Sequence, residues 1–272
     1  MVIVDIKAAG LCHSDVGVLH DPQWMTSFPR IPMTLGHENA GIISEVGPGV
    51  ENWKVGDRVG LSPLMPDGDA IGYGAWDGGY GPKVRVTGVT WYGCLRSSPS
   101  SWARWRPMQY HLLPRPDHHR RTEEEHAGRG DRPGGPGYIG ARVAVLEGAE
   151  VYAADIDPST RKRAAEIGLA GVAESITEFA DKDLQLIVDY AGFGTTTAHA
   201  VDTLAKSGTL VQVGLGRLQS TVNTQAIVRK ELRILGSLSG TQQDLAELYE
   251  LMRWSQRVHA GTRRGHARSP GR

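Results

Sequence analysis

Two short stretches of the chain carry side chains that could do chemistry together. One is Gly10-Leu11-Cys12-His13-Ser14-Asp15, the other Gly36-His37-Glu38. Cys12 offers a thiolate, His37 an imidazole and Glu38 a carboxylate, the donor types that hold zinc. A catalytic zinc site takes three protein ligands and leaves one position open. Glu38 would serve either as a ligand or stand just behind the metal. Ser14 lies two residues past Cys12. On an extended or turning segment its hydroxyl points to the same side as the sulfur, where a proton relay belongs. Asp15 is placed to orient His37 from behind. Each residue alone would be unremarked, a core cysteine or a glycine turn; the combination is specific.

Around these residues the chain changes character along its length. With 272 residues it has room for one large domain or two ordinary ones, and 40% hydrophobic content is enough for a core. The formal net charge is zero, so nothing draws the chain toward nucleic acid or an anionic membrane. No apolar run reaches the length of a membrane span. The alternating start Met1-Val2-Ile3-Val4-Asp5-Ile6-Lys7 is not a signal peptide. The two cysteines, Cys12 and Cys94, cannot build a disulfide framework, which predicts a reduced, cytoplasmic protein.

Residues 1–87 read as β-rich, with strands over 2–8, 40–46, 53–59 and 82–86 separated by glycine and proline turns. Residues 137–252 alternate between strand and helix. Helices are expected over 139–146, over 158–167 behind an Asp157 N-cap with Pro158 in the first turn, and over 195–204 and 244–252. Strands are expected over 150–155, 184–190, 209–214 and 232–237. That alternation predicts a parallel sheet of βαβ units, an α/β architecture. Residues 88–136 show neither period, and residues 253–272 share their Arg-, His-, Pro- and Trp-rich character.

The order Gly-x-Cys-His-Ser-Asp, then Leu35-Gly36-His37-Glu38, then Gly47-Pro48-Gly49-Val50 and Val55-Gly56-Asp57-Arg58-Val59 resembles the zinc-dependent alcohol dehydrogenases of the medium-chain dehydrogenase/reductase family. The resemblance implies a GroES-like catalytic domain, partial here over 1–87, and a Rossmann NAD-binding domain over 137–252. It implies zinc held by Cys12 and His37, with Glu38 close to the metal and Ser14 relaying a proton. It also implies NAD as cofactor, an alcohol or aldehyde as substrate, and pairing of copies through the Rossmann domains, at the strand around Ile234. A further ligand, Cys or Asp, is expected later in the catalytic domain, where Cys94 matches no family motif. The four-cysteine structural zinc site of many members is absent, because residues 60–81 contain no cysteine. The family's opening strands and its C-terminal return are expected to be missing.

The cofactor fingerprint is a strand, G-x-G-x-x-G and a helix, which bring the pyrophosphate to a helix N-terminus. In Arg132-Pro133-Gly134-Gly135-Pro136-Gly137, Gly134 and Gly137 match the second and third glycines, and Arg132 stands at the first. The preceding Ala127-Gly128-Arg129-Gly130-Asp131 has almost nothing apolar to bury, so the sheet is expected to lack its central strand and both domains to be incomplete. Asp155 ends the next strand roughly twenty residues on, where a carboxylate accepts from ribose hydroxyls and repels a 2′-phosphate, favouring NAD over NADP. Gly192 and Gly214 close later strands at the carboxyl edge, where ligands bind in such sheets.

Read back into GC-rich codons in another frame, residues 105–109 can encode Ala-Thr-Asp-Ala and residues 130–137 can encode Val-Ile-Gly-Leu-Gly-Gly-Leu-Gly. These are what the resemblance places there, so 88–136 is expected to be out of frame and 253–272 an aberrant tail. The chain as written is then expected to be poorly soluble and inactive. Two other functions stay open: a catalytically dead nucleotide-binding relative, and a zinc-free quinone or enone reductase, against which Cys12, His37 and Glu38 argue. The histidines at 111, 118, 119 and 126 lack the spacing of a second metal site.

Overall fold

Alternating valine and isoleucine at the start of the chain forms the inner face of an antiparallel sheet. In a computed structural model, which describes residues 1–26, 28–65, 68–87 and 135–240, the backbone of 91–93 and 122–126, and residues 244, 247, 248 and 251, the chain divides into two compact units. These are Met1–Gln109 with Gly240–Arg272, and Tyr110–Ser239.

In the first unit the strands are β1 (Val2–Gly10), β2 (Glu38–Val46), β3 (Arg58–Leu61), β4 (Lys83–Val86) and β5 (Trp91–Gly93), in the order β4-β1-β2-β3-β5. Val2, Val4, Ile43, Val59, Leu61, Val84 and Val86 point into one core, joined by Met65 and Ile71 from the loop after β3. The antiparallel register pairs Val2 with Val46 and Gly10 with Glu38. That pairing brings the two motifs together: the chain leaves β1 into Cys12 at the same end where His37 enters β2. A short helix, α1 (His13–His20), begins directly after Cys12, and α2 (Pro22–Met25) follows it behind the Asp21 side chain, which accepts from the Gln23 N–H at 2.9 Å. Where the sequence suggests an extended or turning segment over Cys12 to Asp15, Ser14 and Asp15 lie in the first turn of α1, a helix with little apolar periodicity to reveal it.

The second unit holds β6 (Thr122–His126), β7 (Val151–Asp155), β8 (Gly171–Ala173), β9 (Leu186–Asp189), β10 (Thr209–Gln212) and β11 (Arg233–Gly236). Their order is β11-β10-β9-β6-β7-β8 and every pairing is parallel. Numbered within the unit this is 3-2-1-4-5-6, the doubly wound dinucleotide-binding order. The helices are α3 (Pro136–Leu146), α4 (Pro158–Ala164, continued by a 3₁₀ turn Ala165–Ile167), α5 (Thr195–Thr203) and α6 (Thr224–Lys230). Asp157 caps α4 as its sequence predicts, accepting from the N–H groups of Ser159 and Thr160. Ile187, Ala200, Val201, Leu204 and Leu210 form one buried cluster, and Leu186, Val188 and Val211 another.

One expectation is overturned. The central strand is present: Thr122–His126 lies between β7 and β9, so this sheet has all six strands of its order and is not incomplete. Backbone pairing is blind to side chains. The inner edges of β7 and β9 both need partners, and five residues of any type that can extend will supply them. The apolar pattern by which a buried parallel strand is recognised is missing from Thr-Glu-Glu-Glu-His. Residues 127–134, the stretch next to the glycine fingerprint, with Gly134 among them, lie outside the described residues, as do Cys94, most of 88–136 and all of 253–272.

Candidate metal centre and cofactor edge

The β1–β2 register sets the geometry at one end of the first unit. A ligand atom from each of Cys12, His37 and Glu38 lies within 4.8 Å of the others, the one such metal-binding group among the described residues. His37 and Glu38 are buried and Cys12 half-buried. Gly10, opposite Glu38, has to be glycine: a Cβ there would run into the Glu38 carboxylate.

Asp15, 1% exposed, organises the group. Its Oδ2 accepts from the Cys12 N–H at 2.9 Å and from the Tyr80 hydroxyl at 2.8 Å. Its Oδ1 is 3.5 Å from His37 Nδ1. Both ring nitrogens are buried, and neither makes a hydrogen bond of ordinary geometry. An unsatisfied buried nitrogen costs about 1–3 kcal/mol, a cost that a metal ion at Nε2 removes. Burial opposes charge on His37, but the Asp15 carboxylate and the Cys12 sulfur outweigh it and push the imidazole up to about 10. The corner therefore attracts positive charge, as a cation site should. Burial raises Asp15, while His37, Tyr80 and the Cys12 N–H lower it further, so the net direction is downward. The donor set, the burial and the orphaned nitrogen fit zinc.

Ser14 Oγ accepts from Cys12 Sγ at 3.5 Å, so the relay candidate stands beside the thiol despite the helix. Four side chains here had no signal in the sequence. The Tyr73 hydroxyl donates to the Ser14 carbonyl at 3.2 Å and its ring stands edge-on to His37, with centroids 5.2 Å apart. Phe28 and Trp24 pack against Tyr73 in turn. Tyr80 reaches both Asp15 and the Gly10 carbonyl, the latter at 3.1 Å. In the stretch without structural-zinc cysteines, Asp69 Oδ1 accepts from the Ala70 and Ala75 N–H groups, and Asp77 pairs with Arg30 at 2.8 Å.

In the second unit Asp155 ends β7 at the carboxyl edge and is buried. Burial pushes its carboxyl up to about 6, although Oδ1 accepts from the Asp157 N–H at 2.8 Å. The Arg161 guanidinium donates to the Asp155 carbonyl at 2.6 Å and pairs with Glu174, and so is engaged on both sides. Gly137 is buried in the first turn of α3, behind Gly135 and Pro136. Gly214 follows β10, and its N–H donates to the Asp189 carbonyl at 2.9 Å. An acid at the end of the second strand of the order, and a glycine at the N-terminus of the first helix, fit a dinucleotide.

A β-unit with a Cys-His-Glu corner and a doubly wound sheet together define a zinc-type dehydrogenase. Residues 1–98 match the family described as alcohol dehydrogenase GroES-like domain, and residues 135–254 match that described as zinc-binding dehydrogenase. An alcohol dehydrogenase of Geobacillus stearothermophilus is 26% identical over 90% of this chain and 79% of its own. An NAD-dependent alcohol dehydrogenase of Sulfolobus acidocaldarius is 27% identical over 92% and 80%. The crystal structure of an alcohol dehydrogenase from Aeropyrum pernix superposes with a TM-score of 0.79 at 24% identity, over 93% of this chain and 82% of that one. The chain belongs to the medium-chain, zinc-type alcohol dehydrogenase family, whose members are NAD-dependent oxidoreductases.

Proposed function

We propose that this chain carries the machinery for reversible oxidation of an alcohol by NAD to an aldehyde or ketone, with zinc held by Cys12, His37 and Glu38. The observation that carries this reading is the clustering of one ligand atom each from Cys12, His37 and Glu38 within 4.8 Å of one another, with His37 and Glu38 buried. Zinc supplies a Lewis acid that makes the alcohol hydroxyl more acidic, and NAD supplies the hydride acceptor. Asp15 fixes His37 through Nδ1 and Cys12 through its N–H. Ser14, half-buried beside Cys12, takes the hydroxyl proton and passes it outward. On the cofactor side, Gly134 and Gly137 let the pyrophosphate approach α3. Asp155 accepts from the adenosine ribose hydroxyls, and Gly214 lies at the same carboxyl edge.

The domain boundaries follow the sequence reading: 1–87 catalytic, 88–136 out of frame, 137–252 NAD-binding and 253–272 an aberrant tail. The later zinc ligand belongs to the out-of-frame segment, and the chain as written turns over poorly or not at all until that segment is restored. Independent resequencing of the gene across codons 85–140 decides this; an unbroken read encoding the present residues would exclude a sequencing error. The protein is read as cytoplasmic, and among the described residues no helix is long and apolar enough to cross a membrane. Copies pair through β11, where Ile234 and Leu235 are each about half exposed.

Metal analysis of the purified chain after dialysis against zinc, with His37→Ala beside it, tests the reading. One tightly held ion in the parent and none in the variant is expected. Equal, weak uptake by both would contradict it.

A further inference from the structure

Asp189, the last residue of β9, is fully buried and its carboxylate serves four donors. Oδ1 accepts from the Ala191 N–H at 3.0 Å and the Gly192 N–H at 2.8 Å. Oδ2 accepts from the hydroxyls of Thr196 at 3.0 Å and Thr197 at 2.8 Å, in the first turn of α5. Its carbonyl accepts from the Val213 and Gly214 N–H groups at 3.0 and 2.9 Å. One residue therefore holds three pieces of chain: the loop after β9, the start of α5 and the loop after β10.

The two loops are also joined directly. Gly216 N–H donates to the Ala191 carbonyl at 3.1 Å and Arg217 N–H to the Gly192 carbonyl at 2.8 Å. Within the second loop, the Gln212 side-chain amide donates to the Gly214 carbonyl at 2.8 Å. The backbones pass so closely that Gly192, at φ +62°, could carry no Cβ without striking the Gly214 carbonyl. A buried carboxylate with all four acceptances filled is a rigid anchor. Removing it strands two backbone N–H groups and the Thr196 hydroxyl, each a costly loss when buried, and leaves the Thr197 hydroxyl only Gln212 Oε1, at 3.2 Å.

The sheet order says what this anchor positions. The chain switches sides between β6 and β9, and a dinucleotide lies across such a switch with one mononucleotide over each half. Asp155 sits on the β7 side, which takes the adenosine. The loops that Asp189 ties down sit at the carboxyl ends of β9 and β10, on the other side. We propose that Asp189 is the positioning residue for the nicotinamide half of the cofactor site, setting the loops 190–194 and 213–217 without touching the ligand. This rests on the NAD reading above.

The test is calorimetric binding of NAD and of AMP to the full chain, because AMP uses only the adenosine half. Asp189→Ala is expected to weaken NAD by about tenfold or more, the equivalent of about 1.4 kcal/mol, and to leave AMP within about twofold. Asp189→Asn keeps an oxygen for the Ala191 and Gly192 N–H groups and restores NAD to within about threefold of the parent. Should Asp189→Ala fail to fold, Thr197→Val removes one of the four bonds and leaves the Phe193 N–H on Thr196 untouched, with about a threefold loss of NAD at constant AMP expected. Equal losses of NAD and AMP in whichever variant folds, or an unchanged NAD affinity, overturn the proposal alone. Failure of the unsubstituted chain to bind either nucleotide overturns the NAD reading and this proposal with it.

Discussion

The metal corner and the nucleotide sheet meet opposite demands in opposite ways. At the metal corner Cys12, Asp15, His37 and Glu38 all lie within a few residues of the end of a β1–β2 pair whose core is Val2, Val4 and Ile43. Chemistry and packing agree. In the second unit the strand at the centre of the sheet is Thr-Glu-Glu-Glu-His, flanked by Leu-Ile-Val-Asp and Val-Tyr-Ala-Ala-Asp. There the backbone ladder is satisfied by a sequence that ordinary burial would reject. A local motif can stand intact in a chain whose second unit has a central strand without one apolar residue.

Replacing Glu123, Glu124 and Glu125 together by Val, Ile and Val is the sharpest way to break that contrast. A central parallel strand is as a rule covered on both faces, and an apolar side chain so covered contributes about 1.5–3 kcal/mol, so the second unit should gain several kcal/mol by denaturant unfolding, with zinc content unaffected. No gain would mean that the sheet does not depend on this strand. Next in size, Cys12→Ser or His37→Ala should weaken zinc on the order of a thousandfold, as expected for losing one of few ligands, while AMP binding stays as it was. Loss of both functions together would mean that the two regions are not independent.

Asp15→Asn should cost zinc affinity about ten- to a hundredfold, the usual effect of removing a partner that orients a ligand, read by competition with a chelator. Asp155 gives the sheet a pH signature. Its folded-state pKa, about 6, lies above the ordinary carboxylate value, so the folded form takes up a proton first. Its contribution to stability is fullest at low pH, below the unfolded value, and is lost as pH rises through about 6. NAD affinity should run the other way, rising as the carboxylate ionises. Asp155→Asn should flatten both trends and weaken NAD by about tenfold; a parent profile flat between pH 5 and 7 would count against it. The smallest effect is expected from Tyr73→Phe, which loses one hydrogen bond, about 0.5–1.5 kcal/mol, and keeps the ring against His37.

How much of this was legible follows the same divide. Cys12, His37 and Glu38 were readable because their donor types sit in two short motifs, while the antiparallel pairing that carries both to one end shows only in the structure. Asp155 was readable because strand, acid, N-cap and Pro158 follow one another in sequence. Tyr73 and Tyr80 were not: they reach Ser14 and Asp15 from 59 and 65 residues away, and no local pattern encodes that contact. The helix α6 and the three-residue β8 escaped because neither shows enough apolar periodicity to stand out. β6 escaped for a different reason, since its neighbours and not its own residues make it a strand. Asp189 showed only as the end of a strand; its four donors come from a turn and a helix start that take shape only in three dimensions.

The most direct measurement of the central claim is cobalt substitution of the purified chain. A thiolate-to-cobalt charge-transfer absorption that appears on titration, vanishes in Cys12→Ser and persists in the Glu123–Glu125 replacement is the predicted result. Cobalt uptake with no thiolate band, or with a band unchanged in Cys12→Ser, would contradict the metal centre proposed for Cys12, His37 and Glu38.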